Sequence, residues 1–201
     1  MELFYDISII IFNLNDSLFL ERCIRSCLAQ TLPGYSYNIF VVIEKGQNIS
    51  KKIIDHYKDH IIPVCIPKRT DFAKAFEGSL NQASGRYIVL AEATDFFSDY
   101  CLLFQTVFLY DNPNYDGVSV DYWLVEKDSD TKTKRLSSID MPLLYGVMYR
   151  KETILREIIY KHNFKRMDED SLKIVLEKDA KIGHIPISFY RRQMKDAAEN
   201  S

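Results

Sequence analysis

Apolar residues in the first half of the chain fall into two kinds of run. Ile7-Ser8-Ile9-Ile10-Ile11-Phe12, Asn38-Ile39-Phe40-Val41-Val42-Ile43, the stretch from Ile61 to Ile66, and Tyr87-Ile88-Val89-Leu90-Ala91 are near-continuous, the pattern of strands buried on both faces. Between them the spacing changes to three and four. A helix beginning near Ser17, a suitable N-cap, places Leu20, Cys23, Ile24, Cys27 and Leu28 on one side. A second, over about 50–60, carries Ile53, Ile54 and Tyr57, and a third, over 71–83, carries Phe72, Ala75, Phe76, Leu80 and Ala83, with Gly85 expected at its C-terminal cap. The resulting order β-α-β-α-β-α-β predicts right-handed crossovers and a mostly parallel, doubly wound sheet. Such sheets bind ligands at the carboxyl ends of their strands. That rule singles out Asn15 after the first strand, Glu44 with Gly46 after the second, and Glu92-Ala93-Thr94-Asp95 after the fourth.

The second half is less regular. A helix over about 99–110 is expected to bury Leu103, Phe104, Val107 and Phe108, and Tyr115 to Val125 reads as a strand. Residues 126–138 are a charged loop or hairpin, 142–148 are apolar, and 151–160 are helical in pattern. Asp168-Glu169-Asp170 precede a last helix that ends before Gly183, and Ile185 to Arg192 is a closing strand. No internal repeat is present, and the chain is expected to be a single domain.

Composition adds limits. With 201 residues, 47% hydrophobic and 27% charged, the chain can fill one substantial core. A net charge of -2 and the lack of a dense Lys/Arg run interleaved with aromatics disfavour nucleic-acid binding. Cys23, Cys27, Cys65 and Cys101 lack the paired short spacing of zinc or redox motifs and read as reduced core thiols. The first six residues are too acidic, and their apolar run too short, for a signal peptide, and no stretch reaches the ~20 apolar residues of a spanning helix. The expected location is the cytoplasm, with peripheral contact at the inner face of a membrane left open.

At this point the chain resembles family 2 glycosyltransferases of the GT-A fold. The resemblance rests on Ser8-Ile9-Ile10-Ile11, Asn15, the helix from Phe19 to Thr31, Val41-Val42-Ile43-Glu44 with Gly46, Ala83-Ser84-Gly85-Arg86-Tyr87-Ile88, Glu169-Asp170 with Leu172, and Ile182-Gly183-His184-Ile185-Pro186 with Tyr190-Arg191-Arg192. It implies an α/β, Rossmann-like GT-A sheet flanked by helices: a nucleotide-sugar-binding half, 1–114, and a smaller acceptor-side half, 115–201. It also implies an inverting transfer from a nucleotide-diphospho-sugar, by family default a UDP-sugar, to a glycan or lipid-linked acceptor in cell-envelope polysaccharide assembly. The alternative is a catalytically degenerate domain that serves as a binding module.

The resemblance implies donor contacts from Phe12, Asn15, Glu44, Glu92, Thr94, Arg191 and Arg192. Where the family has Asp-Asp-Gly-Ser, this chain has Glu44-Lys45-Gly46-Gln47, and Lys45 could meet a phosphate or be solvated. Where the family has Asp-x-Asp, holding manganese or magnesium across the two phosphates, the chain has Glu92-Ala93-Thr94-Asp95. The expected metal ligands are thus Glu92 and Asp95, although Asp95 could equally cap the next helix. The family's catalytic base lies in an acidic pair matching Glu169-Asp170, and Asp170 is the expected base. A helix N-terminus enriched in acids is the structural alternative. Arg191 and Arg192 could meet phosphate or end an exposed strand, His184 reads as a packing residue rather than a ligand, and Trp123 with Tyr122 as core or an acceptor-side wall.

Overall fold

The computed structural model describes residues 6–127, 130–156 and 168–194. The first five residues and 157–160 of the expected fifth helix lie outside them. In chain order the described elements are β1 (Ile7–Asn13), α1 (Leu20–Leu28), β2 (Tyr37–Glu44), α2 (Asn48–Tyr57), β3 (Ile62–Ile66), α3 (Phe72–Gln82), β4 (Tyr87–Glu92), β5 (Phe96–Phe97), α4 (Cys101–Asp111), β6 (Gly117–Val125), β7 (Lys132–Leu136), β8 (Met148–Arg150), α5 (Lys151–Ile154), α6 (Glu169–Asp179) and β9 (Ile182–Gln193). The strands form one sheet in the order β3-β2-β1-β4-β8-β6-β9-β5, with β7 a hairpin partner of β6.

Strands β3, β2, β1 and β4 are parallel, as the alternating pattern requires. Every residue of β1 is buried, as its near-continuous apolar run predicts. Each such fully buried Ile contributes about 1.5–3 kcal/mol relative to exposure. Beyond β4 the sheet is mixed: β8 runs antiparallel to β4 and β6, and β9 runs parallel to β6 with register shifts near Asp121. This mixed edge is built from the second half of the chain.

Three expectations change. β3 is an edge strand, so Ile62, Pro63 and Cys65 are exposed while Val64 and Ile66 are buried. Cys65 is therefore not a core thiol, unlike Cys23, Cys27 and Cys101, and Pro63 is tolerated because an edge need not donate on both sides.

In α4 the expected apolar face is not the buried one. Phe104 and Val107 are 45% and 41% exposed, and the buried residues are Cys101, Leu102, Gln105, Thr106 and Leu109. Apolar residues surround this helix, so periodicity could not choose a face. Gln105 Nε2 chooses it, donating to the carbonyls of Val118 at 3.3 Å and Gly146 at 2.7 Å.

Gly85 does not act as a helix cap; Ala83 takes that place. The backbone of β1 passes so close that a Cβ on Gly85 would lie 2.4 Å from Ser8 N, and Gly85 N–H donates to Ser8 Oγ at 2.9 Å.

Candidate functional site

The turn after β1 is built by its own polar side chains. Buried Asn13 accepts from Ser17 N–H at 2.9 Å and donates to Ser50 Oγ at 2.6 Å. Asp16 takes a left-handed backbone conformation, φ 49°, and accepts from Ser50 N–H at 2.9 Å. These bonds tie the turn to α2 and leave Asn15 exposed at its crest.

Asn15 faces the end of β4 across a cleft. A compartment of about 140 Å³ is lined by Phe12, Asn15, Glu92, Thr94, Tyr145 and Glu169, among others. A neighbouring compartment of about 290 Å³ shares Asn15, Ser17, Glu92 and Thr94 and adds Phe19, Lys127, Gln193 and Met194. Phe12 closes the inner wall, its ring 4.9 Å from that of Phe72. Parallel β1 and β4 are adjacent and in register from Ile7/Tyr87 to Phe12/Glu92, which is why Phe12 and Glu92 end at the same level.

The far wall comes from the second half of the chain. Tyr145 lies just before Gly146, whose φ of 79° turns the backbone toward β8 with no room for a Cβ against the Tyr190 ring, 2.8 Å away. Its hydroxyl donates to Glu169 Oε1 at 2.5 Å, linking this turn to the first residue of α6. Burial first, and Glu169 next, push the Tyr145 hydroxyl well above its usual pKa, so it remains a donor. Asp168 caps α6 by accepting from Ser171 N–H at 2.8 Å, and Asp170, beside Glu169, is exposed and outside the cleft lining described above.

Asp95 occupies a different environment from Glu92. It is 1% exposed, accepting from Tyr190 Oη at 2.8 Å and from Gln193 N–H at 3.0 Å. Burial, followed by the charge of Glu92, raises its pKa to about 7 against the lowering effects of Gln193, Tyr190 and Arg192. It neither caps α4, whose N-cap Tyr100 receives no side-chain bond, nor lines the cleft. Asp95 instead staples β9 to the end of β4.

Thr94 is held through its carbonyl by Arg22 Nη2 at 2.6 Å. The Arg22 guanidinium is itself sandwiched at 4.8 Å and 4.5 Å from the Phe19 and Phe96 rings and paired with Asp130.

Several expected contacts do not converge here. Glu44 accepts from Arg69 N–H at 2.9 Å, and Arg191 Nη1 donates to the carbonyls of Ser188 at 2.6 Å and Tyr190 at 3.2 Å. Arg192 lies near Tyr122 and Asp95. None of the three lines either compartment. His184 sits in a separate pocket of about 290 Å³, with Asp121 Oδ1 3.2 Å from Nε2 and Ser138 Oγ 3.3 Å from Nδ1. Trp123 meets the Lys132 ammonium at 5.6 Å rather than a ligand-facing wall.

The residues do not fit the expected divalent-cation site. A hard cation shared with two phosphates needs carboxylate oxygens free to turn toward it. Of the strand-end segment, Glu92 alone brings a carboxylate to the cleft: Thr94 is neutral, and Asp95 is buried with donors on both oxygens. Among the described residues no group of three or more His, Cys, Asp or Glu is placed to hold a metal ion. Of the two ligands expected for manganese or magnesium, Glu92 reaches the cleft and Asp95 is committed to Tyr190 and Gln193.

Sequence reasoning missed Tyr145, Lys127, Gln193 and Arg22. Tyr145 lay in a stretch read only as apolar, Lys127 in a segment read as a charged loop or hairpin, and Gln193 just past the closing strand. Arg22, within the family-like helix, carried no separate signal because its partners are distant in sequence.

The sequence model of the family described as Glycosyl transferase family 2 matches residues 8–192. The chain belongs to glycosyl transferase family 2. Among curated proteins none matches this family 2 chain. Its fold is shared with solved structures: S. aureus TarS 1–349 in complex with UDP-GlcNAc superposes with a TM-score of 0.75 at 15% identity, covering 96% of this chain and 59% of that one. The mannosyltransferase PcManGT from Pyrobaculum calidifontis, in complex with GDP-Man and Mn2+, gives a TM-score of 0.68 at 12% identity, covering 97% and 59%. This family 2 chain thus spans about three-fifths of the length of those structures, and 37% of a longer TarS structure. At identities this low, the superpositions establish the shared fold alone. No helix among the described residues is long and apolar enough to cross a membrane.

Proposed function

We propose that this chain is an inverting glycosyltransferase domain that moves a sugar from a nucleotide-diphospho-sugar to a glycan or lipid-linked acceptor in cell-envelope polysaccharide assembly. The observation that carries the reading is the convergence of Phe12, Asn15, Glu92 and Thr94, at the carboxyl ends of β1 and β4, with Glu169 of α6 in one cleft. Residues 1–114 supply the donor side and 115–201 the acceptor side. The donor bears uridine diphosphate on this reading, in keeping with family default and with the UDP-GlcNAc bound by the TarS fragment. The protein works in the cytoplasm, at the inner face of the membrane where lipid-linked acceptors are presented.

In the transfer, the acceptor oxygen bonds to the anomeric carbon from the face opposite the diphosphate. The bond from that carbon to the diphosphate oxygen breaks, with its electron pair leaving on the diphosphate, and the acceptor proton goes to a carboxylate. Asp170 is the better base of the acidic pair. Glu169 is already held by Tyr145 at 2.5 Å, whereas Asp170, the next residue of α6, is exposed. Glu169 then positions α6.

The test is a transfer screen with UDP-sugars and lipid-linked glycan acceptors, using wild type and Asp170→Asn. Loss of transfer by roughly a hundredfold or more, with nucleotide binding retained, fits a general base; equal transfer by the variant refutes the assignment. The binding-module reading is favoured by the missing carboxylate at Thr94. Nucleotide binding without turnover on any acceptor would select it.

A further inference from the structure

We infer that this domain meets the leaving diphosphate with the ammonium of Lys127 in place of a bound divalent cation; the inference rests on the nucleotide-sugar reading of the cleft. Charge that builds on a departing diphosphate must be offset by something fixed in place. At the strand end where the family sets its cation, Glu92 is the carboxylate that reaches the cleft; Asp16, which lines the same compartment from the β1 turn, accepts from Ser50 and Ile49, and Glu169 in the adjoining compartment is held by Tyr145. Asp95, which would complete a cation site, has both oxygens committed to Tyr190 and Gln193.

Those same bonds build the opposite wall. With Gln193 N–H on Asp95, the Gln193 side-chain Nε2 donates to the Lys127 carbonyl at 3.0 Å, and Met194 N–H donates to the Val125 carbonyl at 3.0 Å. The buried carboxylate therefore anchors the tail strand, and the tail strand anchors the backbone of Lys127 at the mouth of the cleft. Lys127, Glu92, Thr94 and Asn15 line one compartment of about 290 Å³. Asp130, three residues on, pairs with Arg22 on α1, fixing the other side of the hairpin to the donor half.

The chemistry of the segment is consistent with this exchange. A cation site and a lysine are alternative means of placing positive charge near phosphate oxygens. A chain that has turned one metal-binding acid inward and replaced another with Thr94 has lost the first. An exposed lysine on a flexible stem still reaches phosphate as a point charge. No proton or bond is exchanged with Lys127; its ammonium donates hydrogen bonds to the diphosphate oxygens before and after the anomeric bond breaks.

The test is calorimetric titration of uridine, guanosine, cytidine and thymidine diphosphates, and of the matching nucleosides, into wild type, Lys127→Ala and Lys127→Arg. Each is run with manganese and again with chelator, and folding is checked by circular dichroism. The expected result is diphosphate binding that changes less than about threefold on chelation. Lys127→Ala weakens it about tenfold or more, Lys127→Arg largely restores it, and nucleoside binding is unmoved. Binding that collapses on chelation, or that is indifferent to Lys127→Ala, overturns the inference while leaving the nucleotide-sugar reading intact. Absence of binding by any nucleotide in either condition overturns both.

Discussion

Replacing Asp95 by Asn should flatten the pH dependence of stability between pH 5 and pH 8. The carboxyl is fully buried, and its pKa is raised from 3.8 to about 7, burial being the largest cause and Glu92 the next. An acid whose folded pKa is raised binds more protons in the native than in the unfolded state between those two values. Stability therefore falls as pH rises through that window and levels off above the folded pKa. At roughly 1.4 kcal/mol per pKa unit, the shift corresponds to about 4 kcal/mol in total, of which roughly 2–3 kcal/mol lies between pH 5 and pH 8. Asp16, Asp71, Asp116 and Asp168 have lowered pKa values, so their contributions are lost on acidification below the ordinary carboxylate range and leave this window undisturbed. Asn is nearly isosteric and keeps an oxygen for Gln193 N–H, while its amide can donate to Tyr190 Oη. Urea midpoints measured at pH 5 and pH 8 on both proteins provide the assay. Wild type should lose stability toward pH 8 by more than the variant, by about the amount above. Parallel pH profiles would refute the reasoning, showing that Asp95 stays ionised in the fold.

Tyr145→Phe removes the 2.5 Å hydrogen bond to Glu169 and leaves a half-buried carboxylate short of a donor, so the denaturant midpoint should fall by an equivalent of about 1–2 kcal/mol. Transfer should decline more than nucleotide binding, because the bond orders α6 rather than the donor side. Two glycines should respond in opposite directions. Gly85→Ala forces a Cβ against the Ser8 backbone at 2.4 Å and should cost about 1–3 kcal/mol or more, whereas Gly78→Ala, with nothing within 4 Å on the interior of α3, should stabilise by about 0.4–1 kcal/mol. Thermal melts of the two variants check both signs.

The parallel half of the fold was legible in the sequence because helix and strand periods are local. Ile7 to Phe12 and Val41 to Ile43 could only be strands covered on both faces, and the spacing of Leu20, Cys23, Ile24 and Cys27 could only be one helix face; all are buried as expected. The carboxyl-end rule brought Asn15, Glu92 and Thr94 to the cleft without knowledge of any distance. Local pattern failed where burial depends on position in the sheet. Cys65 is exposed because β3 happens to be the last strand, and the buried side of α4 is set by where Gln105 finds carbonyls, not by its uniformly apolar surface.

Residue type by itself determined that Thr94 cannot ligate a cation as a carboxylate would, and that an acidic pair opens α6. Only the tertiary structure decided that Asp95 faces inward, because its partners, Tyr190 and Gln193, lie 95 and 98 residues away. It likewise decided that Tyr145 meets Glu169 and that Lys127 lines one compartment with Glu92. Periodicity encodes which face of an element is apolar. Which polar groups meet across a cleft is decided by strand order and register, and these emerge only when the whole sheet is assembled.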